Sequence, residues 1–294
     1  MTIRHVEIFV RVAECGKMNQ VAKELYISQS SVSQAIAEIE NEYQGRLFER
    51  LSRKLYLTAV GQGFLSYAKR FLTLDKDMRR YLEAAGEIRC LRIGATITVG
   101  TCVIGPIAAK VRRQENADVR IFVANTHLLE EKLLNGELDA ALVEGRVTSP
   151  LLHVTRAIPD RLVLICGPGH PFFGREEVQV EELKGQALIV REQGSGTRAQ
   201  LEELLNRRHI HGSIKWTCYN TEAIKNAVMA GEGVSLLSQR LIRNEVESGQ
   251  LWVCGLQGFS GLRSFDVVYH KDKPMFPLLS GFIEACRRFG ESGD

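Results

Sequence analysis

The chain has 294 residues, of which 45% are hydrophobic and 25% charged, with a net charge of +3; this is ordinary globular composition, with room for two or three domains. No run approaches the roughly 20 apolar residues that a membrane span needs. Arg4, Glu7 and Arg11 break up any secretory leader, and the seven cysteines, without C-x-x-C spacing, argue against a disulfide framework or a zinc site. The expectation is a reduced, cytoplasmic protein with no metal and no cofactor beyond a small-molecule effector.

The charge is unevenly placed. Residues 1–90 hold 14 Lys and Arg against 11 Asp and Glu, and the remainder holds 24 of each. Val6, Phe9, Val10 and Ala13 fall at helical spacing and predict a first amphipathic helix ended by Gly16. Asn19 is positioned to cap a short second helix whose Val21, Ala22 and Leu25 face inward. Ser28 then caps a third, in which Val32, Ala35, Ile36 and Ile39 form an apolar back. Two short helices in tight succession make a helix-turn-helix. The outer face of the third helix carries Gln29, Ser30, Ser31, Ser33 and Gln34 in place of long charged side chains. Short polar groups let a helix sit deep in a major groove about 12 Å wide, where hydroxyls reach phosphates or base edges and glutamine pairs with adenine.

Next, "LFERLSRKLYLT", Leu47–Thr58, alternates short strands around a basic turn bearing Arg50, Arg53 and Lys54, as a wing along a phosphate backbone would. From Thr58 to Ile88 one long helix is predicted. Phe64, Tyr67, Phe71, Leu74, Met78, Tyr81, Ala85 and Ile88 step by threes and fours along it, an unbroken seam expected to pair with a second copy.

The motifs "SQSSVSQAIAEIE", "LFER" and "LTAVG", followed by a long helix, resemble the LysR-type transcriptional regulators. Ser30, where many members have proline, and Val60 before Gly61 are small departures. From Leu91 onward, short apolar strands such as "LRIGAT", "VRIFVA", "LDAALV" and "FDVVYH" alternate with helices, an α/β pattern. The resemblance implies a winged helix-turn-helix over 1–58, a linker helix for dimerisation over 59–90, and an effector domain over 91–294. It further implies that the effector domain is built like periplasmic binding proteins, with one lobe of about 91–161 plus 267–294 and another of about 162–266. Small effectors would bind between them. Promoter DNA, a second copy in a dimer and then a tetramer, and RNA polymerase are the partners implied, and no membrane.

Two turns are the expected effector contacts. "ATITVGT" offers Thr96, Thr98, Val99, Gly100 and Thr101 where a strand ends and a helix begins, and "REQGSGTR" offers Gly194, Ser195, Gly196 and Thr197 in the same setting. Glycines admit close approach and free helix N-terminal N–H groups favour an anion, so the pair would hold an inorganic or carboxylate anion from opposite sides. Thr98 and Ser195 are expected to donate to the same ligand. Asn125, Glu144, Asn220 and Thr221 are further candidates, although Glu144 would repel an anion unless paired and instead suits an effector bearing an amine. "ALVEG", "REQGSGTR" and "TEAIKNAV" look most like the branch regulating sulfur assimilation and CO2 fixation. No enzyme motif is present, since there is no H-E-x-x-H, Walker loop or G-x-S-x-G, and Ser195 has no evident base. An alternative reading makes Cys102, near the first turn, an oxidant sensor, because a helix N-terminus lowers a thiol pKa. A free-standing solute-binding protein leaves the first third unexplained.

Overall fold

A computed structural model describes residues 1–51, 54–83 and 90–292. Two packing units emerge, an N-terminal and a larger C-terminal one, each taken here by itself. In the first, α1 (Ile3–Cys15) is capped by Thr2 and closed by Gly16 in the left-handed conformation that glycine adopts without strain. Helix α2 (Met18–Glu24) begins after Lys17. Asn19, expected as its cap, lies inside the helix, because the extended Lys17 backbone already turns the chain. Ser28 caps α3 (Gln29–Glu42), its Oγ accepting from the Ser31 N–H at 3.0 Å. Ile8, Val12, Val21, Val32 and Ile36 pack these helices together. β1 (Phe48–Leu51) and β2 (Lys54–Leu57) form an antiparallel hairpin. The long helix α4 covers Ala59–Glu83; Ala85 and Ile88 lie outside the described residues.

The C-terminal unit opens with β3 (Cys90–Thr96), α5 (Ile97–Cys102), α6 (Ile104–Glu115), β4 (Asp118–Ala124), α7 (Thr126–Leu134) and β5 (Ala140–Glu144). Strand β6 (Leu152–Cys166) is 15 residues long; from sequence only "RLVLICG", Arg161–Gly167, reads as a strand. Then come β7 (Glu177–Gln179), β8 (Ala187–Arg191), α8 (Gly196–Arg207), β9 (Ser213–Cys218), α9 (Thr221–Met229), β10 (Ser235–Ser238), α10 (Arg243–Glu247), β11 (Trp252–Gln257), β12 (Leu262–His270) and α11 (Pro277–Ser292).

The main sheet runs β4-β3-β5-β12-β6-β11-β7, with β10 also on β6, while β8 and β9 pair beside it. β3 lies parallel to both β4 and β5, so these strands are joined by helical crossovers; β3 and β5 are buried on both faces, and β4 is the partly exposed edge. One core gathers Leu91 and Ile93 of β3, Ile107 of α6, Leu142 of β5, Phe265 of β12 and Phe282 of α11. Two others lie on either side of β6, β8 and β10: Leu164, Val190, Leu205 and Leu236 in one, and Ile189, Ile224, Val228 and Leu237 in the other. Strand β6 contributes to all three, through Ile158, Leu164 and Ile165.

Candidate functional site

In the N-terminal unit, α3 presents Gln29, Ser30, Ser31 and Gln34 as exposed residues and Ser33 as half-buried. Ser28 and Ser31 are occupied in the cap, their hydroxyls 2.7 Å apart, and Gln34 donates to Glu38 at 2.9 Å. Gln29 and Ser33 have no such partner among the described residues. Arg53 lies outside the described residues, as do the side chains of Arg50 and Lys54. Along α4, Tyr67, Phe71, Leu74, Met78 and Tyr81 are exposed, from 45% at Phe71 to 69% at Tyr67. Phe64 differs from its expected neighbours in the seam. Its ring packs on Phe9 at 4.8 Å within the N-terminal core.

The β8–α8 turn meets the end of β5 and the turn that follows β4. A Cβ on Gly145 would stand 2.6 Å from the Cα of Gly196, and one on Gly196 2.3 Å from the Glu144 carbonyl oxygen. Only glycine permits this approach between the end of β5 and the start of α8. Gln193 accepts from the Asn125 amide at 3.4 Å, and Gly194 from the His127 N–H at 3.4 Å, extending the contact.

On the β3 side, the hydroxyls of Thr96 and Thr98 both donate to the Glu144 carboxylate, Thr98 at 3.0 Å. Glu144 is 1% exposed and its carbonyl accepts from Thr126 at 2.7 Å. The expectation that Thr96 and Thr98 offer free hydroxyls is thereby corrected: a buried carboxylate needs donors, and the β3–β5 pairing brings the nearest ones to it. Thr101 is exposed and donates to the Ile97 carbonyl. Val99 lies in the core, and a side chain on Gly100 would meet Val123. Asn220 caps α9 through the Ala223 N–H, with Thr221 buried behind it.

Around the β8–α8 turn the balance is reversed. Ser195 Oγ, Arg191 Nη1 and Arg263 Nη2 are buried and have no hydrogen-bond partner among the described residues. Arg263 is held from two sides. Its Nε donates to Asp160 at 2.6 Å and its Nη1 to Thr197 at 3.0 Å, at the first turn of α8. Asp160 is fully buried and accepts also from Ser238 at 2.6 Å. Arg191 pairs with Glu192 at 2.9 Å, both nearly inaccessible. These three unpartnered groups lie on β8, at the N-cap of α8 and on β12, and are of the kind that favours negative charge. Arg263 and Asp160 carried no signal in the sequence. They are 103 residues apart, and "GLRSFDVVYH" reads only as a strand.

Cys102 donates to the Thr98 carbonyl at 3.0 Å. Burial, with the Asp160 carboxylate adding to it, pushes its thiol up to about 12. A thiol so protonated is a poor nucleophile, which weighs against the oxidant-sensor alternative.

These two units correspond to known families. Residues 3–62 match "Bacterial regulatory helix-turn-helix protein, lysR family" and residues 84–291 match "LysR substrate binding domain". The chain belongs to the LysR family of transcriptional regulators. It is 31% identical over 293 residues to the HTH-type transcriptional regulator CfxR of Cupriavidus necator, covering 98% of this chain and 90% of that one. To the RuBisCO operon transcriptional regulator of Allochromatium vinosum it is 28% identical over 288 residues, 97% of this chain and 95% of that one. That relative agrees with the CO2-fixation branch read from the sequence. Among solved structures, the Synechocystis PCC6803 CcmR regulatory domain in complex with 2-PG superposes with a TM-score of 0.64 at 24% identity, covering 69% of this chain and 97% of that one, a likeness of fold.

Proposed function

We propose that this regulator reads promoter DNA through α3, with Gln29 and Ser33 at the base edges, and the β1–β2 wing on the phosphates. The exposed stripe on α4 pairs two copies, since an apolar seam of this length is stable only when covered. Exposed apolar residues on the edge strands, Phe122 and Val123 of β4 and Ile214 and Trp216 of β9, suit a further association into tetramers. Ser28, Ser30, Ser31, Gln34, Arg50, Arg53 and Lys54 complete the DNA surface. We read the chain as a cytoplasmic regulator and not an enzyme, because the buried Ser195 hydroxyl has no hydrogen-bond partner among the described residues and so none to activate it as a nucleophile.

The effector is a small anion seated at the β8–α8 turn. The observation that carries this is the trio of buried donors without acceptors, Arg191, Ser195 and Arg263. Gly194, Gly196 and Thr197 shape the turn. Glu144, its carboxylate accepting from Thr96 and Thr98, forms the opposing wall and selects for a ligand whose far end is a donor or is uncharged. That the related CcmR domain is found with 2-PG fits a small ligand in this fold. Occupancy would alter the approach of Gly145 to Gly196, and it biases the DNA-bound assembly only by its unequal affinity for two arrangements. Thermal shift of the full chain with sulfate, phosphate, bicarbonate and small carboxylates tests the reading. At least one should raise the melting temperature of the wild type and fail to raise that of Ser195→Ala. If the two proteins respond identically to every anion, Ser195 does not contact the effector. For the DNA reading, Gln29→Ala should lower affinity for the cognate promoter by roughly 1–3 kcal/mol and hardly change binding to random DNA.

A further inference from the structure

Helix α3 buries Val32, Ala35, Ile36 and Ile39 on one side, which leaves Gln34 and Glu38 exposed on the other, one turn apart. An acid is out of keeping with a surface that meets DNA, because phosphates repel it. Glu40 shows the ordinary use of a carboxylate in this part of the fold. It turns inward and accepts from the Leu47 and Phe48 N–H groups at 2.7 and 3.2 Å. Glu38 instead stays on the outer face, where its Oε1 accepts from Gln34 Nε2 at 2.9 Å. Its Oε2 lies 3.5 Å from Nε2 of His5 on α1. One oxygen is set against the body of the unit and the other against Gln34.

This pairing fixes which way the Gln34 amide points. A carboxylate only accepts, so the amide nitrogen faces Glu38 and the amide oxygen is turned away from it. Gln34 then offers the major groove an acceptor oxygen and one remaining amide proton. Adenine through N6 and cytosine through N4 donate in that groove, whereas guanine and thymine present only acceptors there. We infer that Glu38 is a positioning residue for base recognition, holding the Gln34 amide so that it selects a base with an exocyclic amino group, adenine or cytosine. The inference rests on α3 being the helix that reads the DNA.

Selection by the full chain from a pool of random double-stranded oligonucleotides, followed by sequencing, tests it. The wild type should enrich adenine or cytosine at one position of each half-site, and Gln34→Ala should lower that preference about 10-fold. Glu38→Ala should lower it about 5-fold at the same position and leave the other positions as they were. Glu38→Gln keeps an oxygen to which Gln34 can donate and should retain the preference. Both Glu38 variants lose a charge that DNA repels, so both should bind random DNA about 2-fold more tightly. Both side chains are exposed, and melting curves will show that the variants are folded. A pair that served only the helix would leave base choice unmoved in Glu38→Ala, and that result overturns the inference. So does guanine or thymine at the position that Gln34→Ala frees, and so does loss of the preference in Glu38→Gln. If Gln34→Ala frees no position the inference fails, and Gln29→Ala in the same selection separates the causes. A position freed by Gln29→Ala keeps α3 as the reading helix and overturns only the role of Glu38; none freed overturns both.

Discussion

At the end of β3, Thr96 and Thr98 give both hydroxyl protons to Glu144, whereas after β8 the Ser195 hydroxyl, buried to the same degree, meets no acceptor among the described residues. In sequence the two turns look equivalent, each a strand, a run of small residues and a helix. One is internally satisfied and contributes to stability; the other keeps unused donors, which the proposed function assigns to recognition. On that reading, polar residues of one chemical kind are divided between holding the fold and holding a ligand by whether a carboxylate lies within reach.

Arg263→Met tests the recognition side most severely. It strands the fully buried Asp160 with Ser238 and a more distant Arg240 at 4.0 Å. Breaking a buried pair in this way costs roughly 3–5 kcal/mol, which a urea melt will register, and anion binding should disappear. A loss under 1 kcal/mol would mean that water readily reaches Asp160.

Thr98→Val tests the other side. The shape is kept, but Glu144 loses a donor, and stability should fall by roughly 1–3 kcal/mol. If the melt is unchanged while anion affinity collapses, Thr98 belongs with Ser195 and the contrast between the turns is lost.

Ser195→Ala removes a hydroxyl without a partner, so stability should move by no more than about 0.5 kcal/mol. Affinity for the anion found by thermal shift should fall roughly 10- to 100-fold, as measured by calorimetry. The smallest effect is expected at Cys102. With its thiol held protonated up to about 12 by burial and the Asp160 carboxylate, iodoacetamide at pH 8 should leave it unlabelled in the folded chain, and Cys102→Ser should respond to peroxide as the wild type does. Rapid labelling would reopen the redox reading.

What could be read from the sequence was what neighbouring residues determine. Ser28 as a cap, Gly16 as a stop and the apolar backs of α1 and α3 depend on spacings of a few residues. The strands after Leu91 announced themselves as apolar runs, because parallel strands are buried on both faces. Asn19 misled, since a cap-forming side chain says nothing of which backbone turns first. The first two thirds of β6 stayed hidden because "LHVTRAIPDR" exposes alternate residues and contains Pro159. Nor could the threonines' partner be foreseen. Glu144 reaches them only because β3 and β5 align Ala95 with Leu142, a register fixed by the whole sheet. Phe64 fits the α4 seam by period and leaves it by packing on Phe9.

Strand β6 pairs with β12 from Leu152 to Arg161, and with β10 and β11 from Leu162 to Cys166. One ribbon of backbone is thus a structural member of separate cores, and neither can come apart without stripping hydrogen bonds from the other. The C-terminal unit is expected to melt in a single cooperative transition even though its apolar residues fall into distinct clusters. Its folding should be slow for its size, since Arg161 must find Leu262 across about a hundred residues of chain before either core closes.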